Sequence, residues 1–229
     1  MSEQPLPATR PAKNTTVLGR PGAHATKLAV RAMWRAGLPA VVAAAGLAIA
    51  AHANGLLQMA AVLVAVAGLA IAEHFRGAVH RAWVGASAER RVAAALRRMG
   101  PVALVNGALL GAGGDADHVV LGPIAALVET KHGRGRIRVD DSGFYVGGRR
   151  LARDPIAQAR RQATAAGQRI GCYCTAVVCV VDSTSRPFWH RDVLVTNLKD
   201  LPGALSGLRP APLDGAMALA AAARIASKG

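Results

Sequence analysis

Aromatic residues make up only 3 % of this 229-residue chain, although 52 % of it is hydrophobic. Ala, Val and Leu must therefore supply most of the apolar content. Cysteine is nearly absent: Cys172, Cys174 and Cys179 form no Cys-x-x-Cys pair, and no paired His completes a zinc pattern. That excludes a disulfide framework and a zinc ribbon, and buried reduced thiols are the expectation. No Walker phosphate loop, His-Glu-x-x-His or Gly-x-Ser-x-Gly occurs. Acidic residues are also few, 13 against 28 Lys and Arg, for a net charge of +15. Such an excess suits polyanions, meaning nucleic acid or an anionic membrane face. Arg and Ala made abundant by a G- and C-rich genome are the plainer explanation of the same numbers.

Residues 37–72 contain no Asp, Glu, Lys or Arg at all. Before them, residues 1–36 carry six basic residues against Glu3, with Pro5, Pro7, Pro11 and Pro21 and no apolar period. This reads as a disordered basic tail. The uncharged stretch is longer than the ~20 residues that one membrane helix needs. Its middle, His52-Ala53-Asn54-Gly55, has turn chemistry. Residues 37–72 are therefore expected to form a two-helix transmembrane hairpin in the lipid bilayer of the cell membrane. Arg31 and Arg35 on one flank and Arg76 and Arg81 on the other place both ends in the cytoplasm. Trp34 stands where it can anchor at the interface. Two rival readings stay open: a signal peptide cleaved after Ala51-His52-Ala53, and a buried hairpin inside a soluble protein. A transporter is disfavoured, because no ionisable acid or base marks a path through the span.

From Glu73 helix-like and strand-like segments alternate, giving an α/β domain over residues 73–209 and a C-terminal helix over 210–229. Ser87 is expected to cap a helix from Ala88 to Met99. Short strands follow at Val102–Val105, Asp117–Leu121 and Ala125–Lys131, with a glycine-rich turn at 111–114. A hairpin surrounds Asp141-Ser142-Gly143. Asp154 and Pro155 open a helix to about Ile170. Thr175–Val181 and Asp192–Thr196 read as strands, the first buried on both faces. Helices near 198–207 and 214–227 end the chain.

In so basic a domain the acids stand out. Glu129 and Lys131, two apart on a strand, point to one face. If the preceding strand pairs with theirs as a hairpin, Asp117 approaches them across the ladder. Two carboxylates and an ammonium on one patch suit Mg²⁺ or Mn²⁺, with Glu89 on the preceding helix as a further acid. A structural ion pair between Lys131 and its neighbours is the bland alternative.

The blocks GASAERRVAAALRRM, DADHVVLGP, LVETKHGRGRIRV and DPIAQARRQ, in this order, resemble the nuclease-related domain, NERD, within the PD-(D/E)xK nuclease-like group. The resemblance spans roughly residues 83–200. It implies a restriction-endonuclease-like core, a mixed β-sheet flanked by helices, and metal-dependent cleavage of phosphodiester bonds. It also implies site residues: Glu89 as the first-helix acid, Asp117 and Glu129 as metal ligands, Lys131 as the lysine of the Glu-x-Lys pair, and Gln158 on the helix after the sheet. Two positions depart from the family pattern. Ala125 stands near a usual turn glycine, and Gly133 stands where an aromatic residue is frequent.

Arg134, Arg136 and Arg138 alternate, so on one strand they would share a face, with Arg160 and Arg161 further along. Guanidinium rows suit a nucleic acid backbone, and DNA is the expected partner. A solvated basic face is the alternative. Two functions compete: a membrane-anchored Mg²⁺-dependent nuclease, and a non-catalytic NERD-like tether for nucleic acid or a protein.

Overall fold

The computed structural model describes residues 15–111 and 115–227. Most of the proline-rich tail and part of the glycine-rich turn lie outside these residues. The chain divides into two compact units, Gly22–Ser87 and the remainder.

The first unit is a helical hairpin. Helix α1 runs Ala23–His52 and α2 runs Leu56–Arg98, joined at Ala53-Asn54-Gly55. Both are long and apolar enough to cross a membrane. They meet along a seam of small residues. Ala43 and Ala65 are fully buried, and Gly46 and Gly68 lie so close to the opposite helix that neither has room for a side chain. Close backbone approach of this kind is how helices pack where no hydrophobic effect drives them together. Leu38, Val41, Leu63 and Val66 point outward and are well exposed.

Two expectations are corrected in this region. Residues 15–36 are not all tail, since β1 (Thr16–Leu18) and the first turns of α1 lie there. Ser87 does not cap a helix either; it sits inside α2, about three turns before its end. Residues 73–87 contain no proline, and their glycines, Gly77 and Gly85, are tolerated at modest cost. Helical structure therefore continues from the apolar into the charged segment.

The second unit is a mixed α/β domain. A seven-stranded sheet has the order β1-β2-β3-β4-β8-β10-β9. Its further strands are β2 (Ala103–Leu109), β3 (Asp115–Leu121), β4 (Ala125–Gly135), β8 (Thr175–Ser183), β9 (Phe188–His190) and β10 (Val193–Asn197). Strands β2, β3 and β4 form an antiparallel meander, while β8 joins β4 in parallel and β10 joins β8 in parallel. A small second sheet holds β5 (Ile137–Asp140), β6 (Gly143–Val146) and β7 (Arg149–Arg150).

Helices cover both faces. On one, α3 (Pro155–Ile170) and α5 (Gly215–Ala226) lay Ile156, Ala163, Ala222 and Ile225 on Val119, Leu127, Val178 and Val195. On the other, the end of α2 and the short α4 (Leu201–Ser206) lay Val92, Leu96, Leu201 and Leu205 on Leu104, Val120, Val128 and Val177. Each such Leu, Ile or Val contributes ~1.5–3 kcal/mol by leaving water. This two-faced burial explains why β4 and β8 read as continuous apolar runs. The start of α3 is as expected: Asp154 accepts a hydrogen bond from the Ile156 N–H at 2.9 Å, with Pro155 in the first turn.

Candidate active site

Register places the acids. The β3–β4 ladder pairs Leu121 with Ala125 and ends at His118 opposite Val128. One step further, Asp117 would stand opposite Glu129. There the backbones no longer pair, and the Asp117 carboxylate instead accepts the Thr130 N–H at 2.7 Å. Side chains alternate along a strand, so Asp117, Glu129 and Lys131 fall on the face that carries α3. The Lys131 ammonium donates to Glu129 Oε1 and, at 3.4 Å, to Gln158 Oε1 on α3. Glu129, Lys131 and Gln158 therefore meet through the Lys131 ammonium, and Asp117 is held beside them by the Thr130 N–H.

The fifth residue singled out in the sequence, Glu89, comes from α2, which packs on the opposite face. Its charge still reaches the site. Burial pushes the Asp117 carboxyl well above its usual range, and the negative charges of Glu129 and Glu89 push it further. Burial likewise raises Glu129, against the opposing pull of Lys131. The second carboxylate oxygen of Glu129, Oε2, is buried and has no hydrogen-bond partner. A buried, unpartnered carboxylate oxygen is costly. Among the described residues no three His, Cys, Asp or Glu side chains gather to hold a metal unaided.

Three positioning residues escaped the sequence reading. Gln162, fully buried one turn beyond Gln158, donates from Nε2 to the Asp115 carbonyl at 2.9 Å and so ties α3 to the start of β3. Behind the site, buried His118 is held neutral, its pKa lowered to about 3 by burial. Its Nδ1 lies 2.8 Å from Asn106 Oδ1, and Asn106 Nδ2 donates to the Leu18 carbonyl at 3.4 Å. The i, i+4 glutamines on α3 were a readable signal. The Asn106–His118 pair was not, because it depends on the register of β2 against β3.

The expected arginine row does not form on one strand. Gly135 takes φ +97°, β4 ends there, and Arg138 lies on β5 in the other sheet. Arg134, Arg136 and Arg138 are all exposed. Arg138 is engaged, 3.2 Å from Asp140 and stacked 4.4 Å above the Tyr145 ring. Arg160 grips Asp192, with Nε 2.9 Å from Oδ1. Arg161 is exposed on α3. The departure at Gly133 also has a structural reason: a Cβ there would lie 2.6 Å from Val146 Cγ1 on β6, which fills the space of a larger residue.

No curated protein and no solved structure matches the chain. The family model of NERD, the nuclease-related domain, does match, over residues 84–181. That span runs from within α2 through β3, β4 and α3 into β8, so the part of the chain that assembles the Asp117–Glu129–Lys131 cluster is the part that matches the nuclease-related domain.

Proposed function

We propose that the chain is a membrane-anchored nuclease that hydrolyses phosphodiester bonds of nucleic acid, with DNA as its substrate and Mg²⁺ or Mn²⁺ as its cofactor. The observation that carries this reading is Glu129 Oε2, a buried carboxylate oxygen without a partner beside a second acid. Mg²⁺ takes one or two carboxylates and completes its shell with water and substrate phosphate, so Asp117 and Glu129 fit it as ligands. When bound, the ion would polarise the phosphoryl oxygen and favour ionisation of water. Lys131, held by Glu129 and Gln158, offers an ammonium to the charge that develops on the phosphate. Glu89 adds negative charge that favours a cation at Asp117.

The apolar hairpin is the membrane anchor in this reading. Lys27, Arg31 and Arg35 before it and Arg76 and Arg81 after it argue for cytoplasmic ends. A second reading, a NERD-like tether without catalysis, draws on the lack of a third ligand side chain among the described residues.

The deciding experiment is a cleavage assay on the full chain in detergent with linear, circular and single-stranded DNA, in Mg²⁺, Mn²⁺ or EDTA. Glu129→Ala and Lys131→Ala proteins run alongside. Metal-dependent cutting that both substitutions abolish is the expected result. A folded wild type that binds DNA and never cuts it would leave the tether.

A further inference from the structure

A cavity lies in the α/β unit, on the face opposite α3. It has a volume of about 700 Å³ and opens between the end of α2 and the segment leading into α4. Its α2 wall is Arg91, Ala94, Ala95 and Arg98. These recur three to four residues apart and so share one helix face. The two alanines keep the floor low between the two guanidinium groups. Lys199 stands on the far wall, and no Asp or Glu lines the cavity. Among the described residues Arg98 and Lys199 have no ion-pair partner, in contrast to Arg138 and Arg160.

The cleft is also tied to β4, the strand that carries Glu129 and Lys131. Arg91 lies two residues from Glu89 on α2. It is fixed by Asp182, with Nη2 2.9 Å from Oδ1, and Asp182 in turn approaches His132 Nε2 at 3.5 Å, next to Lys131. From Arg91 to Arg98 the helix rises ~10 Å. The volume falls within the ~300–1,000 Å³ of pockets that enclose small ligands. It admits nucleotides of a single strand and is too small for a duplex. Met99 and Leu198 add an apolar surface against which a base can lie.

We propose that this cleft binds single-stranded nucleic acid, with Arg98 and Lys199 on its phosphates and the strand running along α2 away from the Asp117–Glu129 cluster. The proposal rests on the nuclease-like reading of that cluster for its substrate class, and its test does not depend on cleavage.

The test is fluorescence anisotropy of a labelled oligothymidine with the full chain in detergent, in EDTA, over a range of salt. The Arg98→Ala/Lys199→Ala double variant is compared with wild type and with a charge-matched control, Arg149→Ala/Arg186→Ala, which removes two exposed cations elsewhere. Circular dichroism confirms that all three are folded. The double variant is expected to bind about tenfold more weakly. Its log–log salt slope should shrink by about 1.4, from ~0.7 per lost phosphate contact. The control should keep the wild-type slope. Equal affinity and slope in wild type and double variant would overturn the proposal. So would equal weakening in the control, or a polyglutamate peptide that competes as well as the oligonucleotide. A wild type that cuts DNA while the double variant binds normally would sink the cleft and spare the nuclease. One that binds through the cleft and never cuts would do the reverse.

Discussion

Arg91 on α2 holds Asp182 at the end of β8 by two parallel bonds, Nη1 to Oδ2 at 3.1 Å and Nη2 to Oδ1 at 2.9 Å. Asp182 is one of two non-glycine residues with positive φ among those described, at +69°. Asp tolerates that region better than most side chains. The ion pair thus ties a helix to the sheet through a residue held in an uncommon conformation.

Asp182→Asn keeps the backbone preference and removes the charge. The pair is partly exposed, so the expected cost is about 0.5–1 kcal/mol. The Arg91 hydrogen bond holds the Asp182 carboxyl below its ordinary value of 3.8. The folded value is depressed, so the stabilisation is complete above 3.8 and is lost as pH falls through the folded value. Denaturant titrations at neutral pH and at pH ~3 should show the gap between wild type and variant narrowing in acid. A gap that widened would mean that Asp182 is not ionised in the folded protein.

The Asp117–Glu129 pair predicts a conflict between stability and function. Burial and mutual repulsion, with Glu89 adding to it, disfavour two ionised carboxylates there. Asp117→Asn removes one charge, and the new amide oxygen can still accept the Thr130 N–H. In EDTA this variant should melt about 2–4 °C higher than wild type, equivalent to ~1 kcal/mol. Mg²⁺ or Mn²⁺ should raise the Tm of wild type by binding the folded state and leave the variant unmoved. Thermal shift assays with and without metal separate the two effects. Equal metal response in both proteins would remove Asp117 from the ligand set.

What could be read ahead of the structure follows the range of the interactions. The β3–β4 hairpin, the Asp154 cap and the shared face of Glu129 and Lys131 are local, and period and turn chemistry carry them. Strand β1 carries no such signal: Val17 pairs in parallel with Leu104, far along the chain. The continuity of α2 was hidden by a change of polarity at Glu73, which alters what surrounds the helix without breaking it. The arginine row failed on a single glycine, because alternation predicts one face only while the strand continues. Arg98 and Lys199 were passed over for the same reason as β1, since what makes them neighbours is α4 folding back beside α2.

The hairpin seam offers a comparison between glycines of one unit. A Cβ on Gly68 would lie 2.6 Å from the Pro39 carbonyl oxygen and 2.9 Å from Ala43 Cβ, whereas one on Gly37 would meet nothing within 4 Å. Both lie inside helices. Gly37→Ala should stabilise the hairpin by ~1 kcal/mol through helix propensity alone. Gly68→Ala should destabilise it, since the opposing atoms are backbone and a neighbouring Cβ. Thermal unfolding in detergent, followed by circular dichroism, should give shifts of opposite sign. Two shifts of the same sign would mean that α1 and α2 do not meet along this seam in the membrane-mimetic environment.

Sidedness is the remaining consequence of the charge pattern. Asn54 lies exposed at the tip of the hairpin, and basic residues flank both of its outer ends. If the positive flanks are retained in the cytoplasm, only the tip crosses. A cysteine introduced as Asn54→Cys in a background lacking Cys172, Cys174 and Cys179 should then react with an impermeant maleimide added to intact cells. A cysteine at Arg186→Cys, exposed in the α/β unit, should react only after lysis. The reverse pattern would place the Asp117–Glu129 cluster outside the cytoplasm and away from chromosomal DNA. Labelling of both sites in intact cells would mean that the hairpin does not span, and the uncharged run would then have to pack against protein.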